Sequence, residues 1–324
     1  MHTFIRSCTS LLCAGLFALL VASCKSGGFN SSSNPFQGDF AVPAKYIYLA
    51  KTSDNTLIHE QNILTKLLMM LDSGQKDSVQ KAAIFYESGL VYDELGLESM
   101  ARFMMMNAIV SKPDYAAAYE LIGVYYLKDG RIADACDAFD SAIELDKNGK
   151  SMFPYLNRAY AMYYSKRYQK AYEDICIFYN ADKKDPYRLL SKYIIESAYK
   201  GEQKAIESLS ESYINNDLDI KSPFGIELIN HTLGLITTDE LFNKILEDKN
   251  KGDLMQEHLC EAYFYLGQKA LKSGDDKLAY DYFKLSRATN KYSFLEYRNS
   301  YLELRALEKK YNLIAPYSAE EREL

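Results

Sequence analysis

Residues 82–115, AAIFYESGLVYDELGLESMARFMMMNAIVSKPDY, lie in register over residues 116–149, AAAYELIGVYYLKDGRIADACDAFDSAIELDKNG. Gly89 falls over Gly123, Tyr92 over Tyr126, Gly96 over Gly130, Ala101 over Ala135 and Ala108 over Ala142. The period is 34 residues, and the registered positions have steric reasons. Two antiparallel helices approach to about 8–10 Å only where small side chains face each other, which Gly at position 8 and Ala at position 20 permit. Large residues at positions 4, 11 and 24 then fill the groove: Phe85, Tyr92 and Met105 in the first unit, Tyr119, Tyr126 and Phe139 in the second. Gly96 and Gly130 stand where one helix must turn into the next, a place for positive φ.

With Pro113 at position 32, this pattern resembles the tetratricopeptide repeat. Working outward, a third unit spans about 152–185, offset by two residues, with Ala159, Ala171, Ile175 and Phe178 at positions 8, 20, 24 and 27. Ser151 is its expected N-cap, and Pro154 fits the first turn, where no amide donor is needed. A last unit spans about 260–293, with Tyr263, Leu266, Gly267, Gly274, Ala279 and Phe283 at positions 4, 7, 8, 15, 20 and 24. Residues 187–259 are helical in pattern but out of register. Asp185-Pro186, Ser222-Pro223 and Thr237 to Glu240 mark helix starts there, the last with capping-box spacing. The expected fold is all-α, a tetratricopeptide-repeat helical solenoid over residues 55–315, with degenerate helical hairpins between the third and last repeats. Leu57, Ile58, Leu64, Leu67, Leu68 and Leu71 predict an amphipathic helix ahead of the repeats, covering the first of them or lying in a dimer contact. Tyr292 to Lys310 predicts a final helix, suited to the terminal cap that a repeat array needs. A polar tail follows at 316–324.

Residues 1–23 read as a lipoprotein signal peptide. Leu11 to Val21 is apolar, and Val21-Ala22-Ser23-Cys24 reads as a lipobox, making Cys24 the acylated first residue of the mature chain. A membrane-spanning anchor would need about 20 apolar residues, more than this core has. Several acyl chains of the palmitate type on Cys24 would hold the chain to a bilayer, whereas one is marginal. The next position holds Lys25 rather than Asp, which by the proteobacterial sorting rule favours the outer membrane. Residues 24–54, rich in Ser, Gly, Asn and Pro, read as a lipidated tether.

Loss of residues 1–23 leaves 301 residues and changes the net charge from −6 to −7, because Arg6 goes with them. That acidity argues against nucleic acid, whose phosphates demand basic surface. Cys136, Cys176 and Cys260 remain after the signal and Cys24 are set aside, an odd number scattered over helices and read as small apolar side chains, with one incidental disulfide as the alternative. No HExxH, GxSxG, P-loop or dinucleotide loop is present in the sequence. His59, His231 and His258 sit at unrelated helical positions and read as satisfied surface or core residues. The expectation is therefore a protein that is not an enzyme, with no metal and no cofactor.

The chain has 28 tyrosines and no tryptophan. Many occupy repeat positions 4 and 11, where they pack. Tyr160, Tyr163 and Tyr164 fall instead at positions 9, 12 and 13 of the third unit, which tend to face the concave groove, and are candidate partner-binding residues. A carboxylate clamp would want Lys and Asn at positions 5 and 9; this chain has Tyr86 and Leu90, Glu120 and Val124, Leu156 and Tyr160. That clamp is not expected.

Several runs resemble the lipoprotein NlpI family: Tyr86 to Leu97, Phe139 to Asp146, Leu156-Asn157-Arg158, Tyr163-Tyr164, Asp185 to Arg188, Phe264 to Gly267 and Phe283-Lys284-Leu285. The resemblance covers roughly residues 57 to 305 and does not extend to the Lys147 to Ser151 joint, the tether or the tail. It implies an outer-membrane lipoprotein, with its domain facing the periplasm, that forms a homodimer. It further implies an adaptor that brings a peptidoglycan endopeptidase to a periplasmic C-terminal processing protease and organises cell-wall enzymes. The alternative is an accessory lipoprotein of outer-membrane or secretion machinery.

Overall fold

A computed structural model of the chain describes residues 36, 43, 45–48, 54–74, 76–215, 218 and 222–313. The signal peptide, Cys24 and the 316–324 tail lie outside the described residues. Among those described there are fourteen helices and no strand. The repeats form helical hairpins: α2 (Ser78–Glu94) with α3 (Glu98–Ser111), α4 (Ala116–Lys128) with α5 (Ile132–Leu145), and α6 (Phe153–Tyr164) with α7 (Tyr168–Ala181). In the C-terminal part α12 (Leu254–Lys272) pairs with α13 (Asp276–Ala288). The fold is a tetratricopeptide-like helical solenoid.

What holds each hairpin is the pair of positions 8 and 24. A Cβ built on Gly123 would lie 2.5 Å from the Phe139 ring, and one on Gly267 would lie 2.5 Å from the Phe283 ring. On Gly89 it would collide with the Met105 methyl. All three large partners are fully buried, and burying such a side chain stabilises by about 1.5–3 kcal/mol. The third unit reaches the same end differently: Ala159 replaces Gly, and the smaller Ile175 replaces the ring, both fully buried in one cluster. Side-chain volume at position 24 thus sets what position 8 can be.

The hairpin turns repeat as closely. After α2, the Gly96 amide donates to Asp93 O and Leu97 N to Tyr92 O; the same pair recurs at Gly130 and Arg131, at Lys166 and Arg167, and at Gly274 and Asp275. All four turn residues have φ between 62° and 81°. Lys166 is the one that carries a side chain in this left-handed conformation, which costs about 1–2 kcal/mol without glycine. Lys166→Gly should therefore stabilise the domain by about 0.5–1 kcal/mol after the entropic penalty of glycine, measured as a raised urea midpoint at unchanged slope.

Between repeats three and four the register lapses. α8 (Pro186–Lys200) pairs with α9 (Glu202–Asn215), whereas the short α10 (Pro223–Thr232) and α11 (Thr238–Leu246) both rest on α12. Their starts follow the sequence reading. The Asp185 carboxylate accepts from Tyr187 N, and Thr237 and Glu240 form a reciprocal capping box. The third unit's start is shifted: its N-cap is Met152, while Ser151 accepts from Phe153 N at 3.3 Å and lies 3.4 Å from a Glu120 oxygen.

Both ends make contacts beyond those the sequence reading places. The helix preceding the repeats, α1 (Asp54–Asp72), packs on α2 as expected, and Thr56 also bonds Asp253, just ahead of α12. Within the stretch read as tether, the Ile47 N–H donates to the Tyr263 hydroxyl at 2.6 Å, and that hydroxyl donates to Ile47 O at 2.7 Å. The final helix α14 begins at Leu295 and runs to Tyr311; Tyr292 stays in the preceding loop, with its ring over Gly96. α14 packs on α13 and α12 of the last repeat, where the terminal cap is expected, and also reaches along the inner row of helices. Arg298 pairs with Asp93 of α2, Lys128 of α4 sits 5.5 Å above the Tyr301 ring, and the Tyr164 hydroxyl of α6 is 3.3 Å from Glu303.

Candidate functional site

The first helix of each unit turns one face inward, where positions 5 and 9 project. In the first two units these are Tyr86, Leu90, Glu120 and Val124, and they line a cleft of about 530 Å³. Phe153, Pro154 and Asn157 from the start of α6 form one wall, and Arg298 of α14 forms another. α14 thus fills part of the concave face and leaves this part open.

Glu120 is the least ordinary group in the cleft. Its oxygens meet the Asn157 amide at 3.1 Å and the Ser151 hydroxyl at 3.4 Å, both neutral donors. Burial pushes its carboxyl up to about 7, because the ionised form loses water that neutral donors only partly replace. Asp93 is balanced by Arg298 and accepts the Tyr125 hydroxyl at 3.0 Å. The Tyr86 ring packs 5.2 Å from Tyr115, and burial raises its hydroxyl to about 12.

Tyr160, Tyr163 and Tyr164 do face inward, but not into open space. Tyr160 is 1% exposed. Tyr163 and Tyr164 meet edge to face at 5.0 Å, beneath α14. Tyr163 and Tyr164 keep partial exposure, with α14 occupying part of that section of the groove. Tyr164 meets α14 at an internal joint.

That joint is a polar seam. Glu296, Asn299, Ser300 and Glu303 recur at helical spacing along α14, opposite Glu261, Tyr265 and Gln268 of α12, and all seven are buried. The Tyr187 hydroxyl donates to Glu261 at 2.8 Å, and the Gln268 amide donates to Glu303 at 2.7 Å. Among the described residues no ion pair is found for the three carboxyls. Burial raises all of them, Glu296 and Glu303 to about 7; Glu261 is raised further by Glu296 beside it.

The other singled-out residues are structural in their surroundings. Cys136 and Cys260 are buried free thiols and Cys176 is half-buried. His231 is buried 3.1 Å from the Thr238 hydroxyl, and burial lowers it to about 4. His258 stacks on Phe224 and pairs with Asp248 at 2.8 Å. Of the cleft residues, Glu120 had a sequence signal, its place at position 5; Arg298 had none. On the outer side, α3 leaves Phe103, Met106 and Val110 exposed at helical spacing.

These features define a tetratricopeptide-like helical-repeat protein with a partly self-filled inner face. No family model matches the chain. It is 33% identical over 298 residues to a lipoprotein NlpI homolog of Haemophilus influenzae, a match covering 91% of this chain and 88% of the relative. The chain belongs to the lipoprotein NlpI family.

Proposed function

We propose that this protein is a non-enzymatic interaction scaffold of the bacterial envelope, anchored through acylated Cys24 and placed at the outer membrane with its domain in the periplasm. The observation that carries it is the open inner cleft of a repeat solenoid in an NlpI-family chain. Repeat solenoids present extended concave surfaces to other proteins. Within that reading the partners are a peptidoglycan endopeptidase, a periplasmic processing protease and other cell-wall enzymes. The exposed Phe103, Met106 and Val110 of α3 offer an apolar surface for a homodimer.

Crosslinking in whole envelopes, followed by purification and mass spectrometry, tests it. Joint recovery of a processing protease and a wall endopeptidase is expected. In a Cys24→Ser strain the protein should leave the membrane fraction and lose that recovery. Retention of the Cys24→Ser protein in membranes would refute the anchor. Recovery of barrel-assembly or secretion components in place of wall enzymes would refute the assigned partners.

A further inference from the structure

Resting on the scaffold reading, we propose that the inner cleft around Glu120 docks an extended segment of a partner protein through a lysine or arginine side chain of that segment. Its cation would sit against the Glu120 carboxylate, and its neighbours along the apolar floor.

Space, floor and charge each lead there. A volume of about 530 Å³ is in the ~300–1,000 Å³ range of clefts that enclose small ligands, enough for a few residues and too small for a folded domain. Leu90, Val124 and Pro154 pave it, and Phe153 at its edge is 53% exposed. Four carboxylates and two cations line it. Of the cations, Arg298 is committed to Asp93, and Lys150 is exposed in the loop before α6. Of the remaining carboxylates, Asp146 holds Ser151 N at 2.8 Å, and Glu94 lies beside Glu60 of α1 with Lys291 near. The hydrogen bonds to Glu120 come from neutral donors alone, and the Arg298 charge only partly offsets its burial. A half-hidden carboxylate so placed gains most from an incoming cation, which restores what desolvation removed. The mature chain's net charge of −7, one below the −6 of the full sequence through loss of Arg6, adds long-range attraction for basic segments.

The chemistry fixes a pH dependence. The docking form of Glu120 is the carboxylate, which in the empty cleft forms as pH rises through about 7, while a lysine ammonium stays charged up to about pH 10. Affinity should therefore rise with pH between 6 and 8. The groups facing Glu120 are Tyr86, Asp93 and Glu94 from α2, Asp146 and Lys150 from the α5–α6 loop, and Arg298 from α14. Burial raises the Glu94 carboxyl too, with Glu60 beside it.

The test uses the mature full chain and three short labelled peptides, alternating Ala and Leu around one central Lys, norleucine or Glu. Fluorescence anisotropy at pH 8 and low salt should show the Lys peptide bound at least about tenfold more tightly than the norleucine peptide, and the Glu peptide unbound. The preference should shrink about fivefold or more at pH 6 and vanish in Glu120→Gln. That near-isosteric change removes a poorly solvated charge, and its thermal unfolding should match wild type or exceed it. Equal binding of the Lys and norleucine peptides, an undiminished preference in Glu120→Gln, or no binding by any peptide would overturn the proposal. The scaffold reading fails separately: if Glu120→Gln recovers the same envelope partners as wild type, the scaffold stands and the cleft chemistry falls. If wild type itself recovers none, the scaffold falls.

Discussion

Phe139→Ala should destabilise the domain by about 3–5 kcal/mol, the range for removing a fully buried aromatic ring, and in that background Gly123→Ala should change sign. In the wild-type chain an alanine Cβ at 123 would stand 2.5 Å from a fully buried ring. Overpacking of this kind costs about 1–3 kcal/mol. Alanine also gains about 1 kcal/mol over glycine inside a helix, so the single change should be destabilising by a modest net amount. Once the ring is gone, the clash is gone and the propensity gain remains. Gly123→Ala should then stabilise by about 1 kcal/mol or more, since it also fills part of the cavity. The third repeat already carries that solution as Ala159 with Ile175. A double-mutant cycle by urea unfolding measures the coupling directly. If Gly123→Ala had the same effect in both backgrounds, the glycine would not be there for the ring, and the 34-residue register would need another cause.

This pairing also shows why so much of the fold was legible from the chain. Positions 8 and 24 lie within one hairpin, so a local volume rule writes itself into the sequence at a fixed spacing, as do the left-handed turns at Gly96, Gly130 and Gly274. Lys166 hides the same turn behind an untypical residue, and only the hydrogen bonds reveal it. The path of α14 has no local signature. It is set by Arg298 meeting Asp93 across 205 positions of sequence, much as Ile47 is set by Tyr263 across 216. Periodicity placed Tyr160, Tyr163 and Tyr164 on one side of α6, but it could not say that Tyr160 would be buried or that another helix of the same chain would meet Tyr164. Glu120 was visible at position 5 as a residue unfit for a carboxylate clamp. Its neutral surroundings come from Ser151 and Asn157, which belong to the next unit.

Glu303→Gln is expected to stabilise the protein at pH 8 while changing little near pH 4.5. Glu303 is buried between α14, α12 and α6, with the Gln268 amide at 2.7 Å and the Tyr164 hydroxyl at 3.3 Å. Desolvation raises its carboxyl from an ordinary 4.5 to about 7. The folded state therefore holds a proton that the unfolded state gives up as pH climbs above 4.5. Stability from this group is complete below that point and is lost as pH rises through about 7. At about 1.4 kcal/mol per pH unit, the loss by pH 8 is on the order of 3 kcal/mol. Glutamine is neutral at every pH and keeps one oxygen to accept from Gln268, so the variant should escape that loss. His231 and His258, both lowered by burial, act in the opposite sense and weaken the fold as pH falls below about 6.5, which is why the difference between variant and wild type is the quantity to follow. Glu303 is a cleaner probe than Glu261 or Glu296, since those two adjoin and raise each other's cost of ionisation. Urea unfolding from pH 5 to 8 should show the two proteins diverging steadily, with the variant ahead at the alkaline end. Parallel curves would mean that Glu303 is ionised throughout and paired with a group other than those packed around it. Divergence would establish that α14 is held against the inner row by neutral carboxyls, and that the helix filling part of the groove is bound least firmly when the pH is high.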